Sequence, residues 1–148
     1  MIFKGRRVVK GRVAGEALIS KEPISFLGGI DPATGNVTEK GHELEGHNVT
    51  GKVLIYPTGK GSTGGSYRIY DMVHRGTAPA ALVNREAEPI TVIGAVLGNI
   101  PMVDRVNKQI FGAIKMGDVV EVNADAGTVC VDTKSKTRQP KSRRRATR

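Results

Sequence analysis

The chain has 148 residues, which suits one compact domain and a short extension. Its 39% hydrophobic content can fill a core, but no stretch approaches the roughly 18 consecutive apolar residues of a membrane-spanning helix. The N-terminal residues MIFKGRRVV lack the long apolar centre of a signal peptide, and the single cysteine allows no internal disulfide. We therefore expect a soluble protein of the reducing cytoplasm.

The net charge of +9 is concentrated at the C-terminal end. Eight of the 23 Lys and Arg residues lie between Lys134 and Arg148, a segment without acids, and the remaining 15 bases face 14 acids, for a net charge of +1. Because such a run has no apolar periodicity, we predict a folded domain over residues 1–133 and a basic, disordered tail over 134–148. The tail would either attract a polyanion in a salt-dependent manner or only keep the chain soluble.

The first third of the chain predicts β-structure. Residues 6–10 and 12–19 alternate in polarity around glycines, and a glycine-rich connection with the turn sequence PATG follows. Residues 52–56 form a short aliphatic run, which is typical of a buried strand.

The middle of the chain alternates between helix and strand. Apolar residues at helical spacing predict a helix over residues 66–75 that ends at Gly76. Pro89 opens a second predicted helix, residues 90–97, that ends at Gly98. The strands predicted between and after these helices are residues 80–83 and residues 101–103, the latter ending at Asp104.

The last two predicted strands, residues 118–123 and 128–132, flank the turn ADAG and form a hairpin. The order is therefore strands, then β-α-β-α-β, then a hairpin. We predict a single compact domain of the α/β class, with parallel strands linked by helices that pack on one side of the sheet.

The segment KVLIYPTGKGSTGGSY, residues 52–67, joins the aliphatic strand to the first helix through a glycine-rich loop. Residues 59–64, GKGSTG, match the dinucleotide-binding pattern G-x-G-x-x-G. However, a long β-rich segment precedes the loop and only two helices follow, which does not suit a doubly wound nucleotide domain. A triphosphate-binding P-loop is excluded because Lys60 is followed by Gly61 and not by Ser or Thr.

The same loop is well suited to binding an anion. Backbone N–H groups at a helix N-terminus carry partial positive charge, and Lys60 adds a full one. A carboxylate or phosphate would therefore bind there, close to Ser62. No base or metal-ligand set accompanies the loop in the sequence, so the rest of an active site would come from another chain.

Other residues with reactive side chains are interpreted as structural. Alternation in GTVCVD places Cys130 at a buried strand position. Three histidines are expected to be solvated surface residues without a metal: His42, His47 and His74. Three aspartates at turns are expected to cap backbone N–H groups: Asp31, Asp104 and Asp118.

Several separated segments resemble a known family. PTGKGSTGGSY, followed by GTAPAALVNREAEPITVIGAVLGNIPMVD, and the upstream EALISKEPISFLGGIDPATGNV are similar to the small subunit of the aconitase X family. Among its members the similarity is greatest to the archaeal enzymes that dehydrate phosphomevalonate. The resemblance covers residues 3–132 and leaves out the tail. One departure is Gly65, where the family often has a branched or hydroxylated residue.

The resemblance implies a swivelling β/β/α domain, similar to the mobile C-terminal domain of aconitases, that closes over a large catalytic subunit. It implies a 4Fe–4S cluster on the cysteines of that large subunit and no cofactor bound by this chain alone, in agreement with its single cysteine. The implied reaction removes water from (R)-5-phosphomevalonate and gives trans-anhydromevalonate 5-phosphate, in the archaeal mevalonate pathway of isoprenoid synthesis.

In this family the cluster iron acts as a Lewis acid on the leaving hydroxyl, and a serine of the swivel domain accepts the proton. That serine matches Ser62 in GKGSTGG. A serine hydroxyl is too weak an acid to be a base at neutral pH, so it would act as a stabilised alkoxide or relay its proton. The residues expected to bind the anionic substrate are Lys60, Gly61, Thr63, Gly64 and Arg85.

Three rival hypotheses stay open. The same fold would serve a dehydratase of a hydroxyproline or another hydroxy acid, because Lys60 and Arg85 do not decide between a phosphate and a carboxylate. The basic tail would make the chain a nucleic-acid-binding module, which deletion of residues 134–148 would test. The third is nucleotide binding at residues 59–64, which titration with NAD or FAD would test.

Overall fold

The computed structural model describes residues 1–60 and 64–131. Gly61, Ser62, Thr63 and the residues from Asp132 onward lie outside the described residues, and so does the predicted tail. The elements are β1 (Ile2–Lys4), β2 (Arg6–Val9), β3 (Arg12–Ile19), α1 (Phe26–Gly29), β4 (Val53–Tyr56), α2 (Gly65–Arg75), β5 (Ala81–Asn84), α3 (Pro89–Gly98), β6 (Met102–Asp104), α4 (Ile110–Ala113), β7 (Val119–Asn123) and β8 (Thr128–Val131).

The strands form one continuous sheet in the order β1-β8-β7-β3-β4-β5-β6-β2. The first part of β3, residues 12–16, pairs antiparallel with β7, whereas residues 17–19 pair parallel with β4. β3 therefore belongs to two layers of the sheet. The layer made of β4, β5 and β6 is parallel, because α2 and α3 return the chain to the same end after each strand.

The two ends of this strand order meet at Gly5, which joins β1 to β2. The Gly5 N–H donates to the carbonyl of Gly127 at 2.8 Å. A Cβ on Gly5 would collide with the backbone oxygen of Asp104 and would lie 2.9 Å from Val106 Cγ1. Only glycine fits this crossing, and the sheet is curled so that its first and last strands are neighbours in sequence.

Each face of the parallel layer is covered by a separate core. On one face Leu54 and Leu82 pack with Ile69 and Met72 of α2 and with residues of α3. On the other face the antiparallel layer and the segment around α4 cover the sheet; the core residues there include Ile55, Val83, Val103, Ile110, Val120 and Val129. The layers are thus β, β and α, and the prediction that both long helices pack on one side is confirmed.

The predicted helices and strands are all present, and their described ends differ from the prediction by one residue at most. β1 and the short segments α1 and α4 are additional. The second helix includes Gly98 and is capped by Asn99, which adopts a left-handed φ of 56°. None of the helices in residues 1–60 and 64–131 is long and apolar enough to cross a membrane.

The prediction that Cys130 is buried is wrong. Val129 and Val131 fill the buried positions of β8, and Cys130 between them is only half-buried. Alternation in this strand was visible in the sequence, but its phase was not, because valine and cysteine are both accepted in a core.

Candidate functional site

The candidate site lies at the edge where the parallel strands end. The N–H groups of Arg85 and Glu86, which follow β5, donate to the carbonyl of Pro57, which follows β4, at 2.9 and 3.1 Å. The N–H of Arg105, which follows β6, donates to the carbonyl of Arg85 at 3.1 Å. The three loops therefore form one connected edge. In open α/β sheets ligands bind at this carboxyl end of the strands.

The first residues of the glycine-rich loop are fixed by their neighbours. Lys60 N–H donates to the carbonyl of Ile24 at 2.9 Å, and Ile24 N–H donates to the carbonyl of Thr58 at 3.2 Å. Gly59 is buried so closely that a Cβ there would collide with Thr91 Oγ1 and would lie 3.0 Å from a carboxylate oxygen of Glu88. The start of the loop is thus held by hydrogen bonds to the segment before α1 and by close packing against the start of α3.

Two helices begin at this edge, and their N-termini differ. α3 is capped by its own Glu88, whose carboxylate accepts from the N–H groups of Ile90 at 2.7 Å and Thr91 at 3.1 Å. α2 has Gly64 as its N-cap residue, which offers no side-chain acceptor. The partial positive charge at the start of α3 is already neutralised by a carboxylate. The N-terminus of α2 is therefore better suited than that of α3 to binding an external anion.

The structure places the predicted binding residues in different environments. Lys60 Nζ lies 2.7 Å from Glu39 Oε2, so its charge is shared with an acid. Gly64 stands at the start of α2, and Arg85 is exposed at the edge without an ion pair among residues 1–60 and 64–131. The expected catalytic residue Ser62 and the expected binding residues Gly61 and Thr63 lie outside the described residues.

A buried polar pair closes the ends of β4 and β5 beneath the loop. Asn84 Nδ2 donates to the carbonyl of Tyr56 at 2.9 Å, and both side chains are fully buried. Burial raises the pKa of the Tyr56 hydroxyl well above its usual value, so this phenol is not a base at neutral pH. The pair therefore acts on the site by fixing the two strand ends.

An ion pair that the sequence analysis missed joins three segments of the edge. Asp104, fully buried, accepts from Arg6 Nε at 2.9 Å and Arg6 Nη2 at 2.8 Å. Its Oδ2 also accepts from the Ala87 N–H at 2.9 Å. The hydrogen bond to Asp104 raises the pKa of the Arg6 guanidinium. Asp104 does cap a backbone N–H as predicted, but it also holds β2, β6 and the loop after β5 together.

The expectation that all three histidines are solvated is wrong for His42. Its ring is buried, with Nε2 2.8 Å from the carbonyl of Pro23 and Nδ1 accepting from the Leu44 N–H at 3.0 Å. His47 and His74 are exposed as predicted. Within the described part of the chain, no group of three or more His, Cys, Asp or Glu side chains is arranged to hold a metal ion.

The hydrogen bonds of Glu43 predict how the stability of the fold depends on pH. Its Oε1 accepts from the Lys21 N–H at 2.8 Å and from Ser20 Oγ at 2.9 Å, and the Lys21 hydrogen bond is the main cause that lowers its pKa. A lowered pKa stabilises the fold above the pKa of the unfolded chain, and this stabilisation is lost as the pH falls through the folded pKa.

We expect Glu43→Gln to reduce the free energy of unfolding at pH 7 by at most about 1 kcal/mol, because the carboxylate is exposed. The difference from the wild type should shrink between pH 7 and about pH 3. Urea unfolding at both pH values measures it, and a difference that stays constant or grows in acid would contradict the assignment.

Comparison with known proteins identifies the family. The model of the aconitase X swivel domain matches residues 2–131. The chain belongs to the aconitase X swivel domain family. A crystal structure of Thermococcus kodakaraensis aconitase X in its holo-form is similar to this chain with a TM-score of 0.84 and 44% identity, over 89% of this chain and 98% of the other. A solution NMR structure of a UPF0107 protein gives a TM-score of 0.83 and 45% identity, over 89% and 99%.

Curated relatives of this aconitase X swivel domain carry a common name. The phosphomevalonate dehydratase small subunit of Methanocella arvoryzae is 55% identical over 129 residues, which cover 87% of this chain and 98% of that protein. The protein of the same name from Methanosarcina acetivorans is 49% identical over 127 residues, which cover 86% and 88%. The predicted family and the β/β/α architecture are confirmed.

The residues of this swivel domain do not fit an iron–sulfur cluster. Such clusters are held by several cysteine thiolates, and the chain has one cysteine. Cys130 lies in β8, paired with Glu121 of β7 and Ile2 of β1 in the antiparallel layer, and not in the loops after β4, β5 and β6. A cluster would therefore have to be held by another chain.

Proposed function

We propose that this chain is the small subunit of a two-subunit hydro-lyase that dehydrates (R)-5-phosphomevalonate to trans-anhydromevalonate 5-phosphate. The observation that carries the proposal is the 49–55% identity to proteins named phosphomevalonate dehydratase small subunit, over nearly their whole length. The edge geometry agrees with it: a glycine-rich loop leads into the helix whose N-cap residue has no side chain, and Arg85 at the same edge is exposed and makes no ion pair within residues 1–60 and 64–131. Such an arrangement suits a small anionic substrate.

The reaction requires a proton to leave the carbon beside the carboxylate and a hydroxide to leave the next carbon, so that a double bond and one water are formed. We assign the proton to Ser62. Its oxygen would act as an alkoxide stabilised by N–H groups of Gly61, Thr63 and Gly64 and by the positive end of α2, or it would pass the proton on. Arg85 would add positive charge near the substrate, and Lys60, which is paired with Glu39 at 2.7 Å, would add less.

The large subunit supplies what this chain lacks. Because one cysteine cannot hold a cluster, we place the 4Fe–4S cluster and the departure of the hydroxide on that partner. The small subunit then contributes the proton acceptor and closes the site by a swivelling motion. We place the assembled enzyme in the cytoplasm and assign no catalytic part to residues 134–148.

The test is anaerobic purification of this chain with its partner from native cells, followed by assay of the complex with phosphomevalonate. We expect a larger, iron-containing partner, and dehydration that neither subunit performs alone. A chain that ends at residue 133 should support the same turnover, because the tail lies outside the family match.

Three results would overturn the proposal. The first is a complex that dehydrates hydroxyproline or another hydroxy acid without a phosphate and leaves phosphomevalonate unchanged. The second is a chain that purifies only with nucleic acid, released by salt and dependent on residues 134–148. The third is stoichiometric binding of NAD or FAD.

A further inference from the structure

The edge described above carries two arginines, one after each of two neighbouring parallel strands. Arg85 follows β5 and Arg105 follows β6, and the Arg105 N–H donates to the Arg85 carbonyl at 3.1 Å. Both side chains are exposed. Because β5 and β6 are parallel neighbours, the two backbones leave the sheet side by side, about 4.8 Å apart.

The charges along the edge are unevenly neutralised. Arg6 is paired with buried Asp104 at 2.8 Å, and Lys60 with Glu39 at 2.7 Å. Arg85 has no ion pair among residues 1–60 and 64–131. In that part of the chain Arg105 makes one ion pair, with Glu86, in which Nε and Oε1 are 3.7 Å apart.

The Arg105–Glu86 contact is weak for a physical reason. The two side chains are 58% and 64% exposed, and surface pairs of this kind contribute little. A phosphate dianion, which offers three acceptor oxygens, would compete successfully for both guanidinium groups through charge-assisted hydrogen bonds. Arg85 and Arg105 are therefore more available to a ligand than Arg6 and Lys60, whose charges are paired with acids.

The backbone at Arg105 is also unusual. Its φ is 60°, in the left-handed region, and only one other non-glycine residue of the described chain has a positive φ. This conformation costs an arginine about 1 kcal/mol. Neighbouring residues maintain this conformation, because the preceding Asp104 is fixed by hydrogen bonds from Arg6 and from the Ala87 N–H. A strained residue at a ligand-binding edge points to a functional position.

The spacing fits a substrate with an anion at each end. The residues that follow β4 and β6 are two strand spacings apart, roughly 10 Å. The bonds from the carboxylate carbon of phosphomevalonate to its phosphorus extend over about 7 Å. A molecule with one end at residues 57–60, which follow β4, would thus bring its far end within reach of the arginine side chains after β5 and β6.

We propose that Arg85 and Arg105 bind the phosphate of the substrate and make the site specific for a phosphorylated hydroxy acid. The inference rests on the proposed function for the identity of the substrate. Asp104 is then a positioning residue that fixes the loop bearing Arg105, and Glu86 is the carboxylate that the phosphate displaces from Arg105.

The first test uses Arg105→Asn in the complete two-subunit enzyme. Asparagine tolerates the left-handed backbone and removes the charge, so the variant should fold. We expect KM for phosphomevalonate to rise about tenfold, which corresponds to about 1.4 kcal/mol, with kcat changed little.

Glu86→Gln should lower KM, because it removes the competing carboxylate. The matched control is Arg12→Gln at the opposite end of β3, where Arg12 pairs with Glu121 at 3.1 Å.

The second test does not depend on turnover. A relative that is 45% identical has a solution NMR structure, so titration of this chain by NMR is practicable. Inorganic phosphate, added at constant ionic strength, should shift the amide signals of Arg85 and Arg105 to saturation in the wild type and in Arg12→Gln. In Arg105→Asn the shift of the Arg85 amide should be lost or need much more phosphate.

The outcomes separate this inference from the proposed function. If the wild-type enzyme dehydrates phosphomevalonate and Arg105→Asn leaves KM and the phosphate shifts unchanged, the inference is wrong and the function stands. If the wild-type enzyme does not act on phosphomevalonate but phosphate saturates at Arg85 and Arg105, the proposed function is wrong and the anion site stands. If phosphate causes no saturable shift at either residue, the anion site is wrong.

Discussion

Replacing Ser62 by alanine should reduce turnover of phosphomevalonate by the two-subunit enzyme by about a thousandfold. Positioned proton transfer contributes about 10²–10⁴-fold to enzymatic rates, and alanine removes the only atom of this side chain that accepts a proton. The oxygen makes no contact that substrate binding requires in the proposed scheme. We therefore expect kcat to fall while KM changes little.

The exchange of the substrate proton gives an independent measurement. In deuterated water the wild-type enzyme should incorporate deuterium at the carbon beside the carboxylate, and Ser62→Ala should lose this exchange together with turnover. The matched control is Ser25→Ala, since Ser25 lies in the neighbouring loop and its hydroxyl donates locally to the carbonyl of Leu27 at 2.6 Å. A Ser62→Ala enzyme that keeps near-normal turnover would contradict the assignment of the proton acceptor.

The order of helices and strands could be predicted because it depends on local patterns. The aliphatic run of β4, the helical spacing of α2 and Gly76 at its end each involve residues close in sequence, and Gly76 has the expected φ of 79°. These features also placed the glycine-rich loop between a parallel strand and a helix. The anion-binding interpretation of that loop follows from the same local information.

The connections across the edge could not be predicted in this way. Arg6 and Asp104 are 98 positions apart, and neither lies in a motif that indicates a partner. Arg105 looks like an ordinary surface residue in the sequence, and only the structure gives its left-handed backbone and its hydrogen bond to Arg85. His42 was misassigned for a related reason. The groups that hydrogen-bond to its ring nitrogens are the carbonyl of Pro23 and the N–H of Leu44, and neither residue lies in a distinctive sequence pattern.

The closure of the sheet at Gly5 is another feature without a sequence pattern, and its disruption should reduce stability strongly. We expect Gly5→Ala to reduce the free energy of unfolding by about 3 kcal/mol, since the added Cβ would overlap the Asp104 backbone oxygen and crowd two valine side chains. The atom met first is backbone, so a side-chain rotation cannot relieve the overlap. For a chain of this size the loss corresponds to a fall of roughly 10 °C in Tm.

Gly112→Ala is the matched control for this change. Gly112 lies in α4, and an added Cβ meets nothing within 4 Å. It should leave stability unchanged or raise it by about 0.5–1 kcal/mol. Urea unfolding of the three proteins measures both effects, and a Gly5→Ala chain as stable as the wild type would show that the β1–β2 crossing can relax.

The Gly5 variant also tests whether the edge behaves as one unit. The backbone oxygen of Asp104 lies against Gly5, and its carboxylate accepts hydrogen bonds from Arg6 and from the Ala87 N–H. Because Arg105 follows Asp104 directly, a shift at Gly5 should displace Arg105 as well. We therefore expect KM for phosphomevalonate to rise in Gly5→Ala even at temperatures where the variant is fully folded. If KM stays at the wild-type value while Tm falls, the sheet closure stabilises the fold without positioning the arginines.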